Sequence, residues 1–206
     1  MDKRIMHVEI EFLESLLGSQ PQRDVVTEFI NPALPDDEAD ALPEKLEKAT
    51  TAFHKVDGNP VLFNYQVKGF LKASASVNNG LKTFKEVKAL KSKVENHIFV
   101  YPRIIPLEMP EGAELDYLER PLQAQTAQGP RVCLARSEQA PIGTKIHFTL
   151  EILDGTPLDD DIIRTLLEYG QYIGLGQWRN SGHGSFLFTV LKPEQIATAK
   201  LGEVKA

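Results

Sequence analysis

The segment from Gly174 to Phe188, G-L-G-Q-W-R-N-S-G-H-G-S-F-L-F, constrains the chain more than any other. Gly174, Gly176, Gly182 and Gly184 fall within eleven positions, and an apolar run follows at once. Glycine is the residue for backbone that must take positive φ or come close to another backbone or a ligand, so this spacing specifies a loop shape. Between the two pairs stand Trp178, Arg179 and Asn180: a stacking surface, a planar charged fork and an amide, which together suit a base and a phosphate. The same residues also describe a turn that merely joins a helix to a strand. On the loop alone, both readings stay open.

The flanking elements narrow the fold. Thr144 to Leu153 alternates cleanly, with Ile146, Phe148, Leu150 and Ile152 on one face, and Arg4 to Leu13 does the same with Met6, Val8, Ile10 and Phe12. His7 and Glu9 fall on the opposite face of that first strand. Val56 to Pro60 reads as a turn, since Asp-Gly and Asn-Pro are strong turn dipeptides. Val61 to Tyr65 extends briefly, the Lys68 segment begins a helix to about Asn78, and Leu81 to Val94 reads as a second helix. His97 to Pro106 is β in composition, bounded by prolines that suit an edge or a bulge. Asp159, Asp160 and Asp161 supply caps and negative charge at the start of a helix reaching about Tyr172, which accounts for the triple aspartate without a metal. Ser185 to Leu191 closes the sheet. Two regions break the pattern. Prolines interrupt residues 18 to 57, an acidic arm, and a polar, arginine-bearing hairpin or loop occupies about 108 to 142.

Two motifs carry a family resemblance. The pattern of the glycine segment, with a helix before it and a strand after it, resembles the glycine-rich loop of the RAMP superfamily, the RRM-like proteins that form CRISPR RNA-binding backbones and process guide RNA. Leu175 fills its first apolar slot, and His183 stands where an apolar or aromatic residue is more usual. Upstream, Asn64-Tyr-Gln-Val-Lys-Gly-Phe-Leu-Lys72 is similar to the lysine-glycine segment that opens the first helix in the backbone branch of that superfamily. The chain as a whole is also similar to proteins of tailed phages and prophages over Tyr65 to Lys72, Arg120 to Glu138 and the glycine loop, which implies a viral or prophage origin, a bacterial host cytoplasm and no particular activity. The RAMP resemblance implies an α+β fold in one domain over 1–206: a ferredoxin-like (RRM-like) antiparallel sheet with helices on one face and inserted loops. It also implies RNA or single-stranded DNA as partner, and self-assembly or membership of a ribonucleoprotein complex.

The charge balance is −6, which opposes nucleic-acid binding in its simplest form. Its distribution softens the objection. Acids gather between Asp36 and Glu47, whereas Lys82, Lys85, Lys88 and Lys91 recur every third residue opposite an apolar stripe. The expected nucleic-acid contacts are therefore Lys68, Lys72, Lys82, Lys85, Lys88, Arg131, Trp178 and Arg179. Cys133 is the only cysteine, so neither an internal disulfide nor a cysteine-based metal cluster is expected. The five histidines show no metal-ligand spacing, and no cofactor is implied. His54 and His183 are the weak candidates for a metal-independent ribonuclease, in which a histidine would be general base for a ribose 2′-hydroxyl. A non-enzymatic RNA or single-strand binding protein is preferred. The alternatives are an interaction protein that occupies a host complex, motivated by the acidic arm, and the ribonuclease.

Overall fold

The computed structural model describes residues 2–21, 50–79, 87–126 and 129–196. In chain order the strands are β1 (Lys3–Phe12), β2 (Leu16–Leu17), β3 (Gln20–Pro21), β4 (Thr50–Ala52), β5 (His54–Val56), β6 (Asn59–Phe63), β7 (Ile98–Tyr101), β8 (Ile104–Pro106), β9 (Asp116–Thr126), β10 (Gly129–Ala140), β11 (Lys145–Leu153) and β12 (Phe186–Val190). The helices are α1 (Asn64–Asn78), α2 (Leu90–His97), α3 (Asp160–Glu168), α4 (Gly170–Ile173) and α5 (Pro193–Ile196).

The central sheet has the order β12-β1-β11-β7, every neighbouring pair antiparallel. Its chain order is β1, α1, β7, β11, α3, β12. That is a strand–helix–strand repeated twice, with the fourth, first, third and second strands side by side, which is the ferredoxin-like arrangement. One sheet face is buried: Val8, Ile10 and Phe12 from β1, Ile146, Phe148 and Ile152 from β11, and Phe186 from β12 are fully enclosed. Val67, Phe70 and Leu71 of α1 and Ile163, Leu166 and Leu167 of α3 cover that face. The alternation expected for β1 and β11 is thus observed. The other face carries polar groups that satisfy one another. His7 Nδ1 lies 2.9 Å from Thr149 Oγ1, and His147 lies between two carboxylates, with Nε2 2.8 Å from Glu9 and Nδ1 3.2 Å from Glu108. Burial pushes the Glu9 carboxyl up, but hydrogen bonds from His147 and Lys145 outweigh it and hold the group below the ordinary carboxylate range.

Two smaller sheets flank this core. In one, β9 and β10 form a long antiparallel hairpin, and β10 also pairs with β2 and, in parallel, with β4. Pro121 lies in β9, which pairs with β10 and forms the sheet edge, the position in a sheet where proline is found. In the other, β5, β6 and β8 pair, and Asp57 and Gly58 join β5 to β6 with φ of 50° and 82°, as the Asp-Gly dipeptide predicts.

Several expectations are corrected here. The helix expected from Lys68 begins at Asn64, so Tyr65 is helical and not extended. The Phe63 amide donates to Gln66 Oε1 at 2.8 Å, which satisfies an orphan donor of the first turn. The second helix does not span 81 to 94. Ala89 takes φ 54° and ψ 46°, and the helix runs from Leu90 to His97, so the strand expected from His97 starts at Ile98. Residues 80–86 lie outside the described residues, and with them Lys82 and Lys85. The acidic arm between Asp36 and Glu47 lies outside them too, but both ends of the 18–57 region are in strands: Gln20 and Pro21 pair with Ala52 and Thr51. Within the hairpin or loop expected at about 108 to 142, strand begins at Asp116.

Candidate functional site

The glycine loop is set by contacts far away in sequence. Gly184 N donates to Ser15 O at 3.0 Å, and Leu175 N donates to Gly184 O at 2.9 Å, which folds the two glycine pairs against each other and against the turn after β1. A Cβ on Gly176 would stand 2.6 Å from Leu17 O, and one on Gly184 only 1.9 Å from Leu175 O. These two glycines are there because backbone passes where a side chain would be. Gly182 is different: a Cβ there meets nothing within 4 Å, and only its φ of 89° favours glycine. Leu175 is buried and pins the loop to the core.

From that base the loop projects Trp178 to Ser181. Trp178 has φ 50° and ψ 33°, a left-handed conformation uncommon for a bulky residue, and a short turn over Arg179–Ser181 follows it. The indole is half-buried, with the His183 ring edge-on at 6.2 Å and the Arg120 guanidinium over its face at 5.4 Å. Arg120 Nη1 also donates to Ser181 Oγ at 2.8 Å. Thr51 Oγ1 donates to Gln177 Oε1 at 3.2 Å and lies 3.0 Å from Ser137 Oγ, so β4, β10 and the glycine loop share one polar junction.

Two adjoining grooves meet at this loop. One, of about 550 Å³, runs between the first half of α1 and the loop, lined by Tyr65, Gln66, Gly69 and Ala73 on one side and by Gly176 and Arg179 on the other. His54 belongs to its wall, and burial holds the imidazole below its ordinary value. Rings are continuous along that wall: His54 meets Phe63 edge-on at 4.7 Å, and Phe63 stacks on Tyr65 at 5.6 Å with planes 12° apart. The second groove, of about 450 Å³, lies between Arg120 and the loop residues Gly176 to Ser181. Arg179 lines both. Its guanidinium is exposed and makes no hydrogen bond or ion pair with any of the described residues.

The two sequence motifs therefore converge on one groove, but not through the lysines expected there. Gly69 faces the glycine loop, whereas Lys68 and Lys72 turn toward α2. Lys68 Nζ donates to Val94 O at 2.8 Å and to Ile98 O, with the Phe99 ring 5.4 Å away. Burial pushes its amine down to about 8, against the pull of Glu95. Lys72 pairs with Glu95, whose carboxyl is held low by that hydrogen bond. Lys68 lines a separate pocket of about 250 Å³ with Tyr65, Glu95, Phe99 and Tyr101. Lys88 is exposed in the turn before α2, and Arg131 lies in β10 opposite Ala124. His183, its Nδ1 3.1 Å from Ser15 Oγ, stands behind Trp178 and outside the groove that His54 lines. Tyr65 and Gln177 are not among the contacts expected from sequence, because nothing local distinguishes them from other surface residues, and Arg120 is marked there only as one arginine of the polar hairpin.

Among the described residues no cluster of His, Cys, Asp and Glu is placed to hold a metal ion, and no helix is long and apolar enough to cross a membrane. No family model matches the chain, and no curated protein does. Among solved structures, a chain of the Type III-B Cmr-beta complex bound to cognate target RNA is similar over 92% of this chain and 59% of that one, at 14% identity and a TM-score of 0.49. This chain thus spans little more than half the length of that subunit. A chain of a Type IV-B CRISPR complex is similar over 92% of this chain and 91% of that one, at 14% identity and a TM-score of 0.48. The fold itself rests on the strand order and pairing described above.

Proposed function

We propose that the protein is a non-enzymatic RNA-binding protein with a RAMP-like fold, acting as a subunit of a ribonucleoprotein assembly. A single strand lies in the groove between α1 and the glycine loop and passes Arg179 into the cleft beside Trp178. The observation that carries this reading is the place of Arg179: an exposed guanidinium, without a hydrogen bond or ion pair among the described residues, on the common wall of two grooves. The lining also offers the rings of Tyr65 and Trp178, the amides of Gln66, Gln177 and Asn180 and the hydroxyl of Ser181, which can meet bases and sugars, and a guanidinium fork matches a phosphate in two hydrogen bonds. Lys68 and Lys72 sit outside the strand path and hold α2 against α1 instead.

The test is anisotropy of an end-labelled oligouridine across a sodium chloride series. Binding should fall steeply with salt, and Arg179→Ala should reduce the slope of log affinity on log salt by about 0.7, the share of one phosphate contact on a single strand, equally for different base sequences. No detectable binding at low salt would refute the reading.

A further inference from the structure

The Arg120 guanidinium is unusual in its company. Its strand neighbour Glu119 pairs with Arg136 at 3.2 Å, and among the described residues Arg120 itself takes the face of Trp178 and the hydroxyl of Ser181 as its polar and ring partners. A flat cation thus lies on a flat aromatic surface, at the edge of a cleft whose opposite lip carries the exposed Arg179. The indole is held out on a backbone conformation that a bulky residue adopts only where its surroundings require it, and such outliers gather at ligand contacts.

We propose that Trp178 is a nucleobase seat that Arg120 occupies in the free protein. An unpaired base of the bound strand takes the guanidinium's place on the indole and releases Arg120 from Ser181. The inference rests on the RNA-binding reading above and names what selects a single strand: a base that is paired and stacked in a duplex has no free face to offer. The magnitudes favour the exchange. Stacking a base on an aromatic side chain changes affinity by roughly 5- to 150-fold, whereas a cation over an exposed ring is worth roughly 2- to 5-fold. The guanidinium is therefore the occupant that yields.

Trp178 is the only tryptophan of the chain, so intrinsic emission reports on this cleft alone. End-labelled oligoadenylate and an abasic strand of the same length are titrated into the full-length protein, with anisotropy and Trp178 emission followed together. Oligoadenylate should change the emission in step with anisotropy, and the abasic strand should raise anisotropy with little change in emission. Adenosine, which carries no phosphate, is then titrated into wild type and Arg120→Ala. The half-saturating concentration should fall roughly 2- to 5-fold in the variant, because the competing cation is gone. Binding of oligoadenylate with unchanged Trp178 emission would overturn the seat and leave the RNA-binding reading standing. A higher half-saturating adenosine concentration in Arg120→Ala would overturn Arg120 as the displaced occupant and make it part of the seat. Absence of any anisotropy change would bring down the RNA-binding reading, and the seat with it.

Discussion

Replacing Gly184 by alanine separates a glycine required by packing from one required by conformation alone. The new Cβ would stand 1.9 Å from Leu175 O, 2.9 Å from Leu175 C and 3.2 Å from Leu175 N, so backbone must move by more than an ångström to admit it. That movement breaks the 2.9 Å hydrogen bond from Leu175 N to Gly184 O, worth about 1 kcal/mol net, and loosens a Leu175 side chain that is 3% exposed. Partial loss of leucine burial contributes about 1 to 2 kcal/mol, and a φ of 71° in a residue with a Cβ adds about 1 kcal/mol. The sum is about 3 to 4 kcal/mol, or a melting temperature lowered by about 6 to 16 °C for a domain of this size. Gly182→Ala has the same conformational penalty, but its Cβ meets nothing, so it should cost about 1 kcal/mol. Urea unfolding followed by far-ultraviolet circular dichroism gives both values. Equal destabilisation by the two substitutions, or a Gly184→Ala protein within 1 kcal/mol of wild type, would refute the account of the loop.

Two further outcomes are expected. The Lys68 amine, pushed down to about 8 by burial, binds its proton less tightly folded than unfolded, where its ordinary value is 10.5. The unfolded chain then holds more protons between pH 8 and 10.5, so this group makes stability rise with pH across that window. The gain should be about 1 to 2 kcal/mol once partial exposure and the two carbonyl acceptors are allowed for. Lys68→Met should flatten the rise in urea-unfolding stability, and an unchanged pH profile would refute the assignment. Glu138 is buried and takes the Phe53 amide on Oε2 at 2.9 Å and the Lys55 ammonium on Oε1 at 2.6 Å. Glu138→Ala should lose about 2 to 3 kcal/mol by leaving a buried amide without an acceptor, and Glu138→Gln, which keeps one, should lose less in the same unfolding assay.

What sequence made legible follows from how local each cause is. The alternation of Met6, Val8, Ile10 and Phe12 and of Ile146, Phe148, Leu150 and Ile152 reflects one buried sheet face, so those strands were readable from period alone, whereas the ferredoxin-like α+β fold was implied by the resemblance of the two motifs. The start of α1 was misplaced because its cap is Gln66 reaching back to Phe63, and the second helix because Ala89, an ordinary helix former, turns left-handed. The glycine spacing announced a loop of fixed shape. What it packs against is Ser15 and Leu17, which no pattern in the loop specifies. Lys68 and Lys72 looked like a phosphate-binding face since they lie four apart. Only the packed position of α2 shows that their ammonium groups meet Val94 O, Ile98 O and Glu95.

The hairpin of β9 and β10 has a mechanical consequence. Its paired strand of 11 residues reaches about 35 Å, and Arg120, opposite Ala135, sits between the root pair Asp116–Gln139 and the tip pair Thr126–Gly129. The hairpin's other edge is held by β2 and β4 as far as Arg136, so the hairpin can swing only beyond the Glu119–Arg136 pair. Arg120, the next residue, would follow only about one-seventh of any excursion of the tip, so a push of several ångströms there would leave the guanidinium almost in place over the indole. The grip on Trp178 is in this sense insulated from the tip some 20 Å away, and it opens by a turn of the Arg120 side chain itself.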